Sequence, residues 1–155
     1  SVGLMGVLAD EYLRIGGELI GVIPSFMEPW EVKHLGIQTC HVTHSMHERK
    51  EMMAEMADAV IALPGGFGTL DELFEMLTWK QLDLHQMPVT ILNSAHYYDH
   101  LIKHMDHMVQ EGFLKERNLS ALHIESNPEE LVSWLMHYEP EKMEKKWIYR
   151  GKKEV

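Results

Sequence analysis

The 155-residue sequence predicts an α/β domain, a doubly wound parallel sheet with helices on both faces. Three observations lead there. Short apolar runs alternate with helix-length amphipathic segments along the chain. Several of those runs, ELIGVIP (18–24), AVIALP (59–64) and VTILN (89–93), are near-continuously apolar rather than apolar at every second residue, as in strands buried on both faces. The second of them enters a glycine turn that opens a helical pattern, PGGFGTLDE (64–72), the arrangement of a strand, a phosphate-sized loop and a helix.

The first element spans residues 2–15 (VGLMGVLADEYLRI), which carry a helical apolar face that Gly16 and Gly17 end. A strand over 18–24 closes at Pro24, and 25–38 read as irregular. QTCHVTH (38–44) is a second strand. Ser45 caps a helix over 46–57, and Glu48, three residues on, completes a capping-box pattern. Strand 59–63, the glycine loop and a helix over 70–82 come next. Pro88 opens strand 89–93, and 96–113 form an amphipathic helix. ALHIES (121–126) is a short strand, and Asn127-Pro128 starts a last helix over 129–138 with proline in its first turn. The reading is one catalytic domain over 1–138 and a charged tail over 139–155, in which Trp147 and Tyr149 are candidate docking residues. Doubly wound sheets usually begin with a strand, whereas this pattern begins on a helix. The expectation is therefore a first strand that belongs before Ser1 and is missing here.

Composition narrows the function. The charge is 14 minus 24, or −10 with histidines neutral, a poor field for nucleic acid or an anionic membrane. One cysteine, Cys40, excludes an internal disulfide and fits a reducing compartment. The sequence carries no signal-peptide pattern and no apolar run long enough to span a bilayer, so it reads as cytoplasmic. Twelve methionines at helical spacing read as core filler.

Two segments carry chemistry. In the first, Gly65, Gly66 and Gly68 permit positive φ and close backbone approach, and Thr69 is placed to cap the following helix. The unpaired N–H groups of that helix's first turn, with its dipole, attract an anion. Glu72 then stands a turn further in, an electrostatically awkward position of the kind that marks reacting sites. The second segment is SMHERK (45–50). Arg49 and Lys50 lie near a helix N-terminus, where the dipole disfavours cations, on the helix that leads into the strand feeding the loop. That topology carries the planar fork of Arg49 toward the anion site. In doubly wound sheets ligands lie outside the carboxyl ends of the strands, so the loop and the segments after Pro24 and after 38–44 should share one cleft. Eleven histidines invite a metal reading. His41, His44 and His47 straddle three kinds of structure, and His96, His100, His104 and His107 share a helical face without partner carboxylates or an HExxH pattern. No required metal and no cofactor are expected.

Taken together, PGGFGTLDE and SMHERK resemble the PGGxGTxxE and M-x-x-R-K signatures of the LONELY GUY family, cytokinin riboside 5′-monophosphate phosphoribohydrolases often labelled lysine decarboxylases. LTWKQLDLHQMPVTILN resembles the family's stretch after that glycine signature, and YYDHLIKHMDHMVQEGF its next helix. SVGLMG resembles the piece that succeeds the family's first glycine-rich turn. The resemblance covers nearly all of the chain but the tail. It implies a Rossmann-like fold and hydrolysis of the N-glycosidic bond of a nucleoside 5′-monophosphate, such as AMP or its N6-isopentenyl form, to free base and ribose 5-phosphate. By position it implies Arg49 and Glu72 as the catalytic pair. It implies Lys50, Gly65, Gly66, Phe67, Gly68 and Thr69 as phosphate and ribose contacts, and Glu31 and Thr78 as further substrate contacts. It also implies a homodimer or larger homo-oligomer with the site near the subunit interface. A non-catalytic nucleotide or molybdenum-cofactor carrier on the same fold is the alternative, although a carrier has no evident need of Glu72. Lysine decarboxylation would need a Schiff-base lysine and a cofactor pocket, and no lysine here has that setting.

Overall fold

The computed structural model describes residues 3–30, 34 and 36–140. Helix α1 (Leu4–Arg14) leads to β1 (Ile20–Pro24), a 3₁₀ turn (Ser25–Trp30) and β2 (Thr39–Thr43). Then come α2 (Met46–Met56), β3 (Val60–Ala62), α3 (Phe67–Gln81), β4 (Val89–Leu92), α4 (Asp99–Gln110), the short α5 (Glu116–Leu119), β5 (Leu122–Glu125) and α6 (Pro128–Met136). All strand pairs are parallel. β1 pairs β2 with Ile20 opposite Thr39, and β4 lies between β3 and β5 with Val89 opposite Val60 and Leu122. The predicted α/β class holds, with helices between parallel strands, but the described strands form two sheets, β1-β2 and β3-β4-β5, rather than one.

Three local readings are corrected. The helix expected to start at residue 70 starts at Phe67, and its N-cap is Gly66, with no side-chain cap; Thr69 is the third helical residue. The first intrahelical bond runs from the Leu70 N–H to the Gly66 carbonyl, so the glycine turn is three residues tighter than its composition implies. None of the loop glycines has positive φ. The demand falls on Gly65 alone, where an added Cβ would collide with Thr69 Oγ1; a Cβ at Gly66 or Gly68 would meet nothing. Finally, the helix expected over 96–113 is Asp99–Gln110, because Ser94–His96 form a 3₁₀ turn in which Ala95 and His96 take left-handed φ of 52° and 60°. His96 therefore leaves the predicted four-histidine face. The short α5 falls between the predicted elements.

The Ser45 cap forms as expected. Its Oγ accepts from the Glu48 N–H at 3.1 Å, and Glu48 returns a bond, accepting from the His44 N–H at 2.7 Å. Asn127 likewise accepts from the Glu129 and Glu130 N–H groups beside Pro128. The core sits on β3-β4-β5. Ala62, Leu73, Met76, Val89, Ile91, Tyr98, Met105 and Leu122 form a single buried cluster. Burial removes its large apolar side chains from water at about 1.5–3 kcal/mol each, which anchors α3 and α4 to that sheet. No helix among the described residues is long and apolar enough to cross a membrane.

Candidate active site

The site is assembled around the start of α3. The loop after β3 holds its shape through two tyrosines that sequence reasoning passed over. Tyr98 Oη donates to the Leu63 carbonyl at 2.6 Å and Tyr97 Oη to the Gly65 carbonyl at 2.8 Å. Asn93, at the carboxyl end of β4, accepts from the Tyr98 N–H and donates to Asp99, which fixes the tyrosine pair. Both tyrosines lie shortly after a strand end, and that position was the available signal. With the loop carbonyls engaged, the N–H groups of Phe67, Gly68 and Thr69, which have no intrahelical acceptor, stand at the positive end of the α3 dipole. Phe67 is 93% exposed at the tip of the turn.

Arg49 and Glu72 meet across the two halves of the molecule. Arg49 Nη1 pairs with Glu72 Oε1, and Arg49 Nε donates to the Val22 carbonyl of β1 at 3.1 Å. The arginine side chain is 14% exposed and the glutamate 37%, so the cation is anchored and the carboxylate remains open to a substrate. Both line a cavity of about 670 Å³ whose other walls are mainly apolar residues of α1, β1 and α2, among them Met5, Leu8 and Met53. This pairing answers the awkwardness of an acid near an anion site: Arg49 offsets the carboxylate's charge while leaving part of its surface free.

The remaining expected contacts are distributed differently. Lys50 Nζ, expected at phosphate or ribose, lies 2.7 Å from Glu75 and 3.1 Å from Asp71, and the Glu75 carboxylate raises its pKa above the ordinary lysine value. These two pairs tie α2 to α3. Thr78 Oγ1 donates to the Phe74 carbonyl at 2.7 Å, and the residue lines a shallow groove with Asp71, Phe74 and Trp79. Glu31 lies outside the described residues, as do Trp147 and Tyr149. Cys40 is half-buried. Among the described residues no group of three or more His, Cys, Asp or Glu is arranged to hold a metal ion.

A parallel α/β core with a glycine loop between a strand end and a helix N-terminus, faced by an arginine–glutamate pair, defines a Rossmann-like protein with a candidate cleft at that helix start. A family model described as possible lysine decarboxylase matches residues 5–135, and the chain belongs to that family. It is 51% identical over 114 residues to a protein of Rhodococcoides fascians named cytokinin riboside 5′-monophosphate phosphoribohydrolase, covering 73% of this chain and 58% of that one. It is 43% identical over 141 residues to the Arabidopsis thaliana phosphoribohydrolase named LOG7 (91% of this chain, 65% of that one). The same identity and length relate it to the Oryza sativa protein named LOG (91% and 58%). The chain thus spans about three-fifths of the length of these curated relatives.

Proposed function

We propose that this protein hydrolyses the N-glycosidic bond of a nucleoside 5′-monophosphate, releasing the free base and ribose 5-phosphate. Cytokinin nucleotides are the substrate class suggested by the names of its relatives. The observation that carries the reading is the Arg49–Glu72 pair, set 23 residues apart in sequence and joined beside the glycine turn. Glycosidic cleavage passes through an oxocarbenium-like state with positive charge on the sugar. A fixed carboxylate stabilises that charge more than it does the neutral ground state, which lowers the barrier. In this reading Glu72 faces the ribose, and the N–H groups of Phe67, Gly68 and Thr69 hold the 5′-phosphate. Gly65 lets the Thr69 hydroxyl lie against the loop, and Gly66 leaves the ligand's side of the turn open. The phosphate grip supplies remote binding energy that positions the reacting bond. Arg49, paired with it, holds Glu72 in orientation. Lys50, which ties α2 to Asp71 and Glu75 of α3, also serves the phosphate and ribose end of the substrate. Glu31 and Thr78 complete the substrate contacts, and the whole site lies near the subunit interface of a homodimer or larger homo-oligomer in the cytoplasm.

The deciding experiment incubates the protein with AMP and with N6-isopentenyl-AMP and measures free base and ribose 5-phosphate. Equal release of both products by the native protein, lost in Glu72→Gln with nucleotide binding retained, is the expected outcome. Tight nucleotide binding with no release by the native protein would favour a nucleotide carrier instead.

A further inference from the structure

A second cavity lies at the other end of the β3-β4-β5 sheet. It measures about 440 Å³ and sits where β4 and β5 begin, walled by the last turn of α3, by α5 and by α6 with the residues just after it. The glycine turn leaves the opposite, carboxyl end of β3, and the cavity beside Arg49 and Glu72 shares no lining residue with this one. Along α3 itself, Lys80 stands about 12 Å beyond Glu72 at the rise of an α-helix.

Lys80 sets this cavity apart, because it is only 7% exposed. Its Nζ donates to the Met87 carbonyl at 2.6 Å and to Tyr138 Oη at 3.0 Å, and lies 5.1 Å from the centre of the Tyr138 ring. An ammonium has three N–H groups, and these bonds use two. The ion pairs among the described residues do not include Lys80. Buried charges are normally paired, and a neutral donor would tie a carbonyl to a phenol at lower cost. The face of the Tyr138 ring offsets only part of that cost.

The neighbouring walls repeat the pattern. His123 has its Nε2 buried with no hydrogen-bond partner, and its ring is held by stacking on Trp134 with centroids 3.8 Å apart. Arg117 is exposed at the rim and, among the described residues, also enters no ion pair. Glu139, the single carboxylate among the described lining residues, is exposed and pairs with neither cation. The chain as a whole carries a charge of −10, yet here two basic side chains face one acid. The volume is that of a small-molecule site rather than of a bare ion, and Trp134 and Tyr138 give it aromatic wall.

We infer that this cavity is a second ligand site, which takes a small organic anion with an apolar body and a carboxylate or phosphate group. The oxyanion accepts from the third N–H of Lys80 and from His123 Nε2, and Arg117 adds charge at the rim. The inference stands on burial and pairing and is independent of the reaction proposed above.

The test follows backbone-amide and histidine-ring NMR shifts of the full chain as phenyl phosphate, benzoate or neutral benzamide is added at constant ionic strength. Saturable shifts are expected at residues 120–123 and 134–138 and at the His123 ring with one or both anions and not with benzamide. A response to phenyl phosphate alone assigns the site to phosphorylated ligands, to benzoate alone to carboxylates, and to both to either class. Lys80→Met removes the charge at similar volume and should weaken that binding at least about 10-fold. Should that variant not fold, the surface change Arg117→Gln decides instead, with a weakening of about 2–5-fold. No saturable shift at those residues with either anion would overturn the inference. So would an equal response to benzamide, or undiminished anion binding in the deciding variant.

Discussion

The two sheets of this protein are built from similar sequence and reach different degrees of completion. The β3-β4-β5 sheet with α3, α4 and the turn between β4 and α4 supplies every member of the buried cluster, with β4 flanked on both sides. The β1-β2 sheet with α1 and α2 has few buried side chains, Ala9, Ile23 and Thr43 among them, and α2 has none. The difference lies in strand neighbours rather than in hydrophobicity, since IGVIP is as apolar as VTIL. An apolar strand becomes core only when something lies on each side of it. The proposed chemistry straddles this divide. Glu72 comes from the well-packed half and Arg49 from the open one, with Lys50 as a second tie across it.

The largest expected effect tests whether the junction is the site. Glu72→Gln should reduce turnover of AMP by at least about 10²–10³-fold with nucleotide affinity retained, as for loss of a transition-state charge stabiliser. Near-normal base release would reduce the pair to a cross-link between halves. Next in size is the contrast in packing. Leu73→Ala should cost about 2–5 kcal/mol by urea unfolding. Leu8→Ala on the open face of α1 should stay within about 0.5 kcal/mol, because its side chain is already largely exposed. Similar losses at the two positions would break the comparison. Smaller again is the cap. Ser45→Ala should remove about 1 kcal/mol and loosen hydrogen exchange in α2 while sparing α3, since the cap secures a helix with no buried side chain.

The smallest effect is a pH dependence that belongs to the packed half. His85 sets Nε2 2.9 Å from the Met76 carbonyl and leaves Nδ1 buried without a partner, and burial lowers its pKa below the ordinary 6.5. His123, stacked on Trp134 with its Nε2 buried and unpartnered, is lowered for the same reason. Folding therefore favours the neutral rings. Their contribution is complete above the unfolded histidine value and is lost as pH falls through the lowered folded values. Urea midpoints should fall between about pH 7.5 and pH 5.5, and His85→Gln with His123→Gln should flatten that fall. The bonded carboxylates Asp99 and Glu125, whose pKa values are lowered by Asn93 and by the Ser126 N–H, act at more acidic pH and leave this window to the histidines. An unchanged slope in the double variant would detach acid lability from the packed half.

Much of this was legible in the sequence because the signals are local. Ser45 with Glu48, Asn127 with Pro128 and the apolar run before Pro64 each set an element from within a few residues. The capping bonds are seen where the sequence places them. The glycine loop is legible in the sequence, but its geometry is not. Thr69 is a good cap by type, yet Gly66 begins the helix because Gly65 alone lets the Thr69 side chain fold against the turn. For Tyr97 and Tyr98 the sequence shows only their position after a strand end; which groups they hold is not legible, because they act on carbonyls more than thirty residues earlier in the chain.

The sequence by itself determined the order of strands and helices, the caps, the glycine turn and the two segments bearing Arg49 and Glu72, since periodicity and backbone preference act over a few neighbours. Tertiary structure alone decided that Arg49 reaches Glu72 while Lys50 turns to Glu75, and that β4 is flanked on both sides while β1 and β3 each pair on one side among the described residues. Those outcomes depend on which distant groups compete for one charge or one strand flank, and that competition is settled only when the chain is folded.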